Sequence, residues 1–282
     1  MATERQRPGM DFAESYGPWA VIAGGSEGTG SALARRIAAK GVSLILIANG
    51  GPLEEAAEAM RRESRVEVVT ARIDLSAEQA AEQIFQAVGD REVGLFVNNA
   101  GADWFGERFL EIDIDEWLRL SRINVDTMLR CVHRFGRQMK RRRRGGILLV
   151  NSGACYGGSK YLAIYSGSKA YQLNFAEALW SELRVYGVDV LTIVLGRTDT
   201  PGYRRRRETR GVSVGESAGL MPADDVAAQA LERLGFGPVT HAGLADDDPG
   251  YGALSAAARR EIVLRLETAA MKGNGYKPET DL

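Results

Sequence analysis

Tyr165 and Lys169, four residues apart, are the side chains in this sequence best placed to move a proton together. The periodicity of residues 160–186 predicts a helix, on which that spacing puts both side chains on one face and lets an ammonium approach a phenol. Free tyrosine, with a pKa of about 10, is a poor acid or base near neutrality. A neighbouring cation favours the phenolate and brings it toward a working range. Ser152, at the end of a predicted strand, offers a hydroxyl that can donate to a substrate oxygen as charge develops there. Taken alone, a Tyr and a Lys at this spacing form an ordinary surface pair, and Tyr156 and Tyr161 lie nearby.

A second constellation lies near the start of the chain, where Gly24-Gly25-Ser26-Glu27-Gly28-Thr29-Gly30 joins a predicted strand to an Ala-rich helix. Glycines there permit a tight turn and let the backbone reach a pyrophosphate, which then sits on free N–H groups at the positive end of the helix. The same residues satisfy the Gly-x-Ser-x-Gly nucleophile elbow, with Ser26 as a hydrolase nucleophile. That chemistry needs a histidine, and the only two are His133, in a predicted long helix, and His241, in the last predicted strand. The elbow would also fall on the first strand, leaving no earlier strand to carry an oxyanion loop. About 20 residues past the glycine turn a dinucleotide site for NAD usually carries an acidic residue. Ala48-Asn49-Gly50 stands here instead, with neither a carboxylate nor an arginine, and Glu27 opposes a 2′-phosphate. The missing carboxylate tilts the choice between NAD(H) and NADP(H) toward NADP(H). Asp74, ending the third predicted strand, either faces the adenine or caps the turn before Ser76.

Together these residues resemble the short-chain dehydrogenase/reductases. The resemblance rests on Gly24-xxx-Gly28-x-Gly30, Asn98-Asn99-Ala100-Gly101, Asn124, Ser152 and Tyr165-xxx-Lys169, with thirteen residues from Ser152 to Tyr165, and it extends over residues 19–243. It implies a catalytic set of Asn124, Ser152, Tyr165 and Lys169, with Asn124 bridging a water to Lys169 and Lys169 also holding the nicotinamide ribose. It further implies cofactor contacts from Gly24, Ser26, Gly28, Thr29, Gly30, Asn49, Asp74, Asn98, Ala100, Gly101, Gly196, Thr198 and Thr200, and no metal. Leu195 stands where the family usually has Pro, and Ala23 where it usually has Thr. The activity implied is NAD(P)(H)-dependent interconversion of an alcohol and a ketone or aldehyde. The alternatives are a catalytically silent NAD(P)-sensing module, which has no need of the proton relay, and the Ser26 hydrolase.

Positioning such a site requires alternating strands and helices, and the sequence supplies them. Apolar runs predict strands at 19–23, 43–48, 66–73, 94–98, 146–151, 188–195 and 238–242. Helical periodicity fills 28–40, 52–63, 76–88, 113–140, 160–186 and 222–234. The expected architecture is a single α/β domain, a doubly wound Rossmann-type parallel sheet of seven strands with helices on both faces, over residues 16–244. The resemblance implies a substrate lid near 197–222, and the sequence itself suggests a mobile segment at 1–15 and a C-terminal extension at 245–282 with one helix at 251–271. With 36 basic and 37 acidic residues among 282, no global field recruits nucleic acid or a membrane surface. No run approaches the ~20 apolar residues of a membrane span. Two cysteines, Cys131 and Cys155, are too few for a disulfide framework and fit a cytoplasmic protein with buried thiols. The basic run at 140–144 reads as a solvated helix end. Arg204, Arg205, Arg206 and Arg207 read as a surface loop, or as cleft cations for an anionic substrate. Trp104 and Phe105 read as lining for an apolar alcohol or carbonyl substrate of lipid, steroid or polyketide type. The resemblance implies a homodimer or homotetramer in which the helices at 113–140 and 160–186 pair across a two-fold axis, and Leu173, Ala176, Leu179, Trp180 and Leu183 offer an apolar stripe for it.

Overall fold

Strands buried on both faces must be apolar throughout, and in the computed structural model, which describes residues 11–101, 103–211 and 219–245, the apolar runs form such a sheet. Its strands are β1 (Trp19–Ala23), β2 (Ser43–Ala48), β3 (Val68–Arg72), β4 (Val93–Asn98), β5 (Gly145–Ser152), β6 (Val188–Leu195) and β9 (Val239–His241). They are parallel, in the order β3-β2-β1-β4-β5-β6-β9. A two-stranded ribbon of β7 (Thr198–Asp199) and β8 (Met221–Pro222) lies apart from it. Successive residues point to opposite faces. Ala20, Ile22, Leu44, Leu46, Leu148 and Ile193 therefore meet α2 (Gly28–Ala39), α3 (Leu53–Glu63) and α9 (Ala223–Arg233). Val21, Ile45, Phe96, Ile147, Leu149 and Val190 meet α4 (Ala80–Val88), α6 (Thr127–Arg142) and α7 (Ala163–Leu183) on the other face. Full burial of each such side chain contributes about 1.5–3 kcal/mol, which the two faces collect independently.

The structure departs from expectation at four places. Within the segment expected to be mobile, Phe12–Tyr16 forms helix α1, whose Tyr16 is buried and donates its phenol hydrogen to Asp189 Oδ2 of β6 at 2.8 Å. The helix expected from residue 76 begins only at Ala80, because Asp74 Oδ1 accepts from Ser76 N (2.9 Å) and Ser76 Oγ (2.7 Å) and holds a separate turn. The long helix expected at 113–140 is α5 (Ile114–Ser121), a π turn at Arg122–Asp126, and α6. The apolar stripe assigned to subunit contact is mostly core: Leu173, Ala176 and Leu183 are buried, and Trp180 lies against the backbone of Gly237. The expected helix at 251–271 lies outside the described residues, as does the extension past residue 245.

The run at 140–144 is largely exposed at the helix end, as expected, and three of its arginines also tie elements together. Arg142 donates to Val93 O (2.6 Å), Arg143 to Val185 O (3.1 Å), and Arg144 to Glu14 O (2.9 Å) and Glu92 (2.5 Å). Both cysteines are buried thiols, which burial pushes up to about 12. Among the described residues no helix is long and apolar enough to cross a membrane.

Candidate active site

Strand order reverses between β1 and β4, and such a switch point opens a crevice at the carboxyl ends of the strands. There the loops after β1, β2, β3, β4, β5 and β6 border one cleft of about 1150 Å³. The glycine turn forms one wall. Gly24 has φ +83°, and a side chain there would press on Ala100 N at 2.8 Å; Gly28 has φ +56° and faces Thr200 Cβ at 3.0 Å. Only glycine fits both the left-handed backbone and the close neighbours, so the turn stays open at the N-terminus of α2. Asn99 Nδ2 donates to Gly24 O (2.8 Å) and fixes the turn to the loop after β4. This bare-backbone cradle at a twelve-residue helix's N-terminus fits the pyrophosphate of a nicotinamide dinucleotide.

Most of the expected cofactor contacts border the cleft: Gly24, Ser26, Gly28, Thr29, Asn49, Asp74, Ala100, Gly101, Gly196, Thr198 and Thr200. Gly30 and Asn98 do not; Gly30 packs against the carbonyl of Gly24, and Asn98 is buried at the end of β4. Asp74 caps its own turn while bordering the cleft. Thr200 caps α8 (Pro201–Thr209) by accepting from Tyr203 N at 3.2 Å. Neither histidine borders the cleft, and His241 Nε2 is 2.6 Å from the Tyr156 hydroxyl, so Ser26 has no imidazole partner for hydrolysis.

Ser152, Tyr165 and Lys169 converge on the same cleft. The Ser152 hydroxyl shares a hydrogen bond with the Tyr165 phenol. Lys169 Nζ lies 5.6 Å from the Tyr165 ring centre and is almost wholly buried. Burial pushes Tyr165 above its ordinary value, outweighing the Ser152 hydrogen bond and the Arg206 charge, which act the other way. Burial likewise brings Lys169 down to about 8, so the ammonium sits near its own titration point.

Lys169 Nζ donates to Val150 O (3.0 Å) and to Gln172 Oε1 (3.1 Å), while Gln172 Nε2 donates to Asn124 O (2.6 Å). The Gln172 amide thus links the backbone of Asn124 directly to Lys169. Asn124 is fully buried in the π turn, its Nδ2 donating to Leu120 O at 2.9 Å. Sequence reading missed Gln172; its one local signal was a polar residue three positions from Lys169, on the same helical face.

The arginines after the cleft are helical and divided in their tasks. Arg204 pairs with Asp199 (2.6 Å), Arg205 with Glu27, Arg206 with Asp103 O (3.1 Å), and Arg207 Nη1 with the Tyr203 hydroxyl (3.1 Å). Only Arg205 and Arg206 of these four border the cleft. Asp103, also missed, is a buried cleft residue whose Oδ1 accepts from Phe105 N (2.9 Å) and Gly106 N (3.0 Å), and burial raises its pKa. Trp104 borders the cleft, whereas Phe105 packs edge-on to Trp117 at 5.1 Å.

Comparison with known proteins agrees with this geometry. The family model described as short chain dehydrogenase matches residues 18–211. A 7β-hydroxysteroid dehydrogenase of Collinsella aerofaciens is 32% identical over 232 residues, 80% of this chain and 86% of that protein. The inactive hydroxysteroid dehydrogenase-like protein 1 of Mus musculus is 32% identical over 187 residues, 65% of this chain and 57% of its own. A solved 7β-hydroxysteroid dehydrogenase superposes with a TM-score of 0.76 at 28% identity, covering 83% of this chain and 90% of that one.

Proposed function

The chain belongs to the short-chain dehydrogenase/reductase family, and from that premise we propose that Tyr165 is the general acid/base of its reaction, with Ser152, Lys169 and Asn124 as its supporting set. The protein is an oxidoreductase that interconverts an alcohol and a carbonyl with NAD(P)(H). The observation that carries the assignment of residues is the meeting of Ser152, Tyr165 and Lys169 in the cleft that the glycine turn also lines. When bound, the nicotinamide supplies or accepts the hydride. The Ser152 hydroxyl orients the substrate oxygen, Tyr165 Oη gives it a proton in reduction or takes one in oxidation, and the Lys169 ammonium steadies the phenolate.

Of the two nicotinamides NADP(H) is the better fit. The turn Asn49-Gly50-Gly51 directly after β2 holds no carboxylate, and the one acid in the glycine turn, Glu27, is paired with Arg205. Gly51 lies close to Ser26 Oγ and Glu27 Oε2, so Arg205 neutralises the carboxylate that borders the adenosine end of the groove. The substrate we assign is a bulky, largely apolar alcohol or ketone of steroid type. It fits Trp104 in the wall, a cleft with room for a second molecule beside a dinucleotide, and the hydroxysteroid dehydrogenases among the relatives. The segment around α8, which closes one side of the cleft, acts as the substrate lid. The protein works as a homo-oligomer through Ile114 and Leu118 of α5 and Tyr171 of α7, all exposed. Two unpaired buried thiols suit the cytoplasm.

The test is consumption of NADPH or NADH with a panel of ketones running from small aliphatic ones to ring-ketone steroids. Turnover with NADPH that favours the steroids supports the reading. Tight NADPH binding with no turnover of any ketone would make the protein a silent cofactor-binding module, and a clear preference for NADH would reverse the cofactor assignment.

A further inference from the structure

A π turn shifts backbone hydrogen bonding by one residue, and at Arg122–Asp126 the N–H of Thr127 reaches back five residues to Arg122 O. Carbonyls that a regular helix would occupy become open to side-chain donors. Leu120 O takes the Nδ2 of Asn124, and Asn124 O takes the Nε2 of Gln172. The other end of the Gln172 amide accepts from Lys169 Nζ. Gln172, Lys169 and Asn124 are all buried, so these bonds form away from bulk water, where an unmade one is costly. The amide has one workable orientation. Reversed, it would set an NH2 against the ammonium and an oxygen against the Asn124 carbonyl, two repulsive contacts in a dry site.

We propose that Gln172 is a positioning residue for the reaction: a fixed amide strut that clamps the Lys169 ammonium to the backbone of the π turn and so holds the charge that serves Tyr165. The inference rests on the oxidoreductase reading above. An amide neither releases nor binds a proton near neutrality, so this link sets geometry and charge without carrying protons. Val150 O and Gln172 Oε1 take two of the three ammonium hydrogens, leaving one for the cleft. Each acceptor also favours the charged form against the burial that depresses it. The titratable groups facing the ammonium are Tyr165 on α7 and the Cys155 thiol on the 3₁₀ segment Gly153–Tyr156; β5 and the π turn offer only carbonyls and the Asn124 amide.

The experiment compares Gln172→Met, which keeps length and removes both polar contacts, with Gln172→Glu, which keeps an acceptor and adds charge. Two readouts are taken across pH: kcat with a ketone substrate, and cofactor affinity from quenching of protein fluorescence, which needs no turnover. For Gln172→Met, kcat falls about tenfold and the alkaline limb of both profiles moves down by about one pH unit, with the ketone KM little changed. For Gln172→Glu the limb moves up instead, because the carboxylate favours the ammonium. If Gln172→Met does not fold, the direction of the Gln172→Glu shift decides. Wild-type profiles in every variant that folds, with any change confined to thermal stability, would overturn the proposal and leave Gln172 as packing. Were the wild type inactive on every ketone, the oxidoreductase reading would fail while the binding profiles still judged the strut.

Discussion

Lys169 and Tyr165 respond to burial in opposite directions, and the difference sets an order of titration. Lys169 is brought down to about 8 while Tyr165 is pushed up, so on raising the pH the ammonium loses its proton first. A lysine with a lowered value is charged below it and neutral above it. The kcat/KM for reduction, which reports free-enzyme groups, is therefore expected to fall as pH rises through about 8. A flat profile up to pH ~10, the ordinary tyrosine range, would remove Lys169 from its assigned role. Replacing Tyr165 by Phe removes the transferable proton and little else. Turnover is expected to drop by about a hundred- to ten-thousandfold with cofactor affinity nearly unchanged, as measured by steady-state rates and fluorescence titration of the same preparation. The Tyr165 and Lys169 pair was legible because its geometry is local, one helical turn. Gln172 was not, since its meaning depends on Asn124, 48 residues away, and on a π turn that no spacing announced. Likewise the upward push on Tyr165 comes from its burial in the folded chain, which spacing alone does not disclose.

Elements were read best where the sheet buries them on both faces. β1, β2 and β6 match the expected spans, because a parallel strand between two helical layers must be an unbroken apolar run. Misreadings fall where a side chain competes with the backbone: the Asp74–Ser76 turn delays α4, and the π turn interrupts what periodicity joins into one helix. The expectation of a mobile start overlooked α1, whose hold on the sheet is a tertiary hydrogen bond to Asp189. Removing that bond with Tyr16→Phe is expected to cost about 1 kcal/mol, visible as a lower unfolding midpoint. At the glycine turn, Gly28→Ala meets both a positive φ and the Thr200 side chain. The backbone cost alone is about 1–2 kcal/mol, and cofactor affinity should weaken along with stability. Unchanged affinity would separate the turn from the binding site.

At the scale of the whole molecule, the exposed Leu110, Ile114, Leu118 and Tyr171 leave apolar surface on α5, α7 and the segment before them. Leu118→Glu is expected to convert an oligomer into folded monomer, read by mass in solution; an unchanged mass would place the subunit contact elsewhere. Helix α8 presents the reverse case, since none of its residues is buried. It is attached to the rest of the chain through guanidinium groups: Arg204 to Asp199, Arg205 to Glu27, and Arg206 to Asp103 O. Such an attachment depends on the medium. The screening length shrinks from ~10 Å at 0.1 M salt to ~3 Å at 1 M, and exposed ion pairs weaken with it, whereas the apolar contacts that fasten the other helices do not. Dissolved salt therefore acts most strongly on this helix, which has no buried residue to hold it, and the dissociation rate of the cofactor, followed by stopped flow, should climb with ionic strength while the unfolding midpoint changes little.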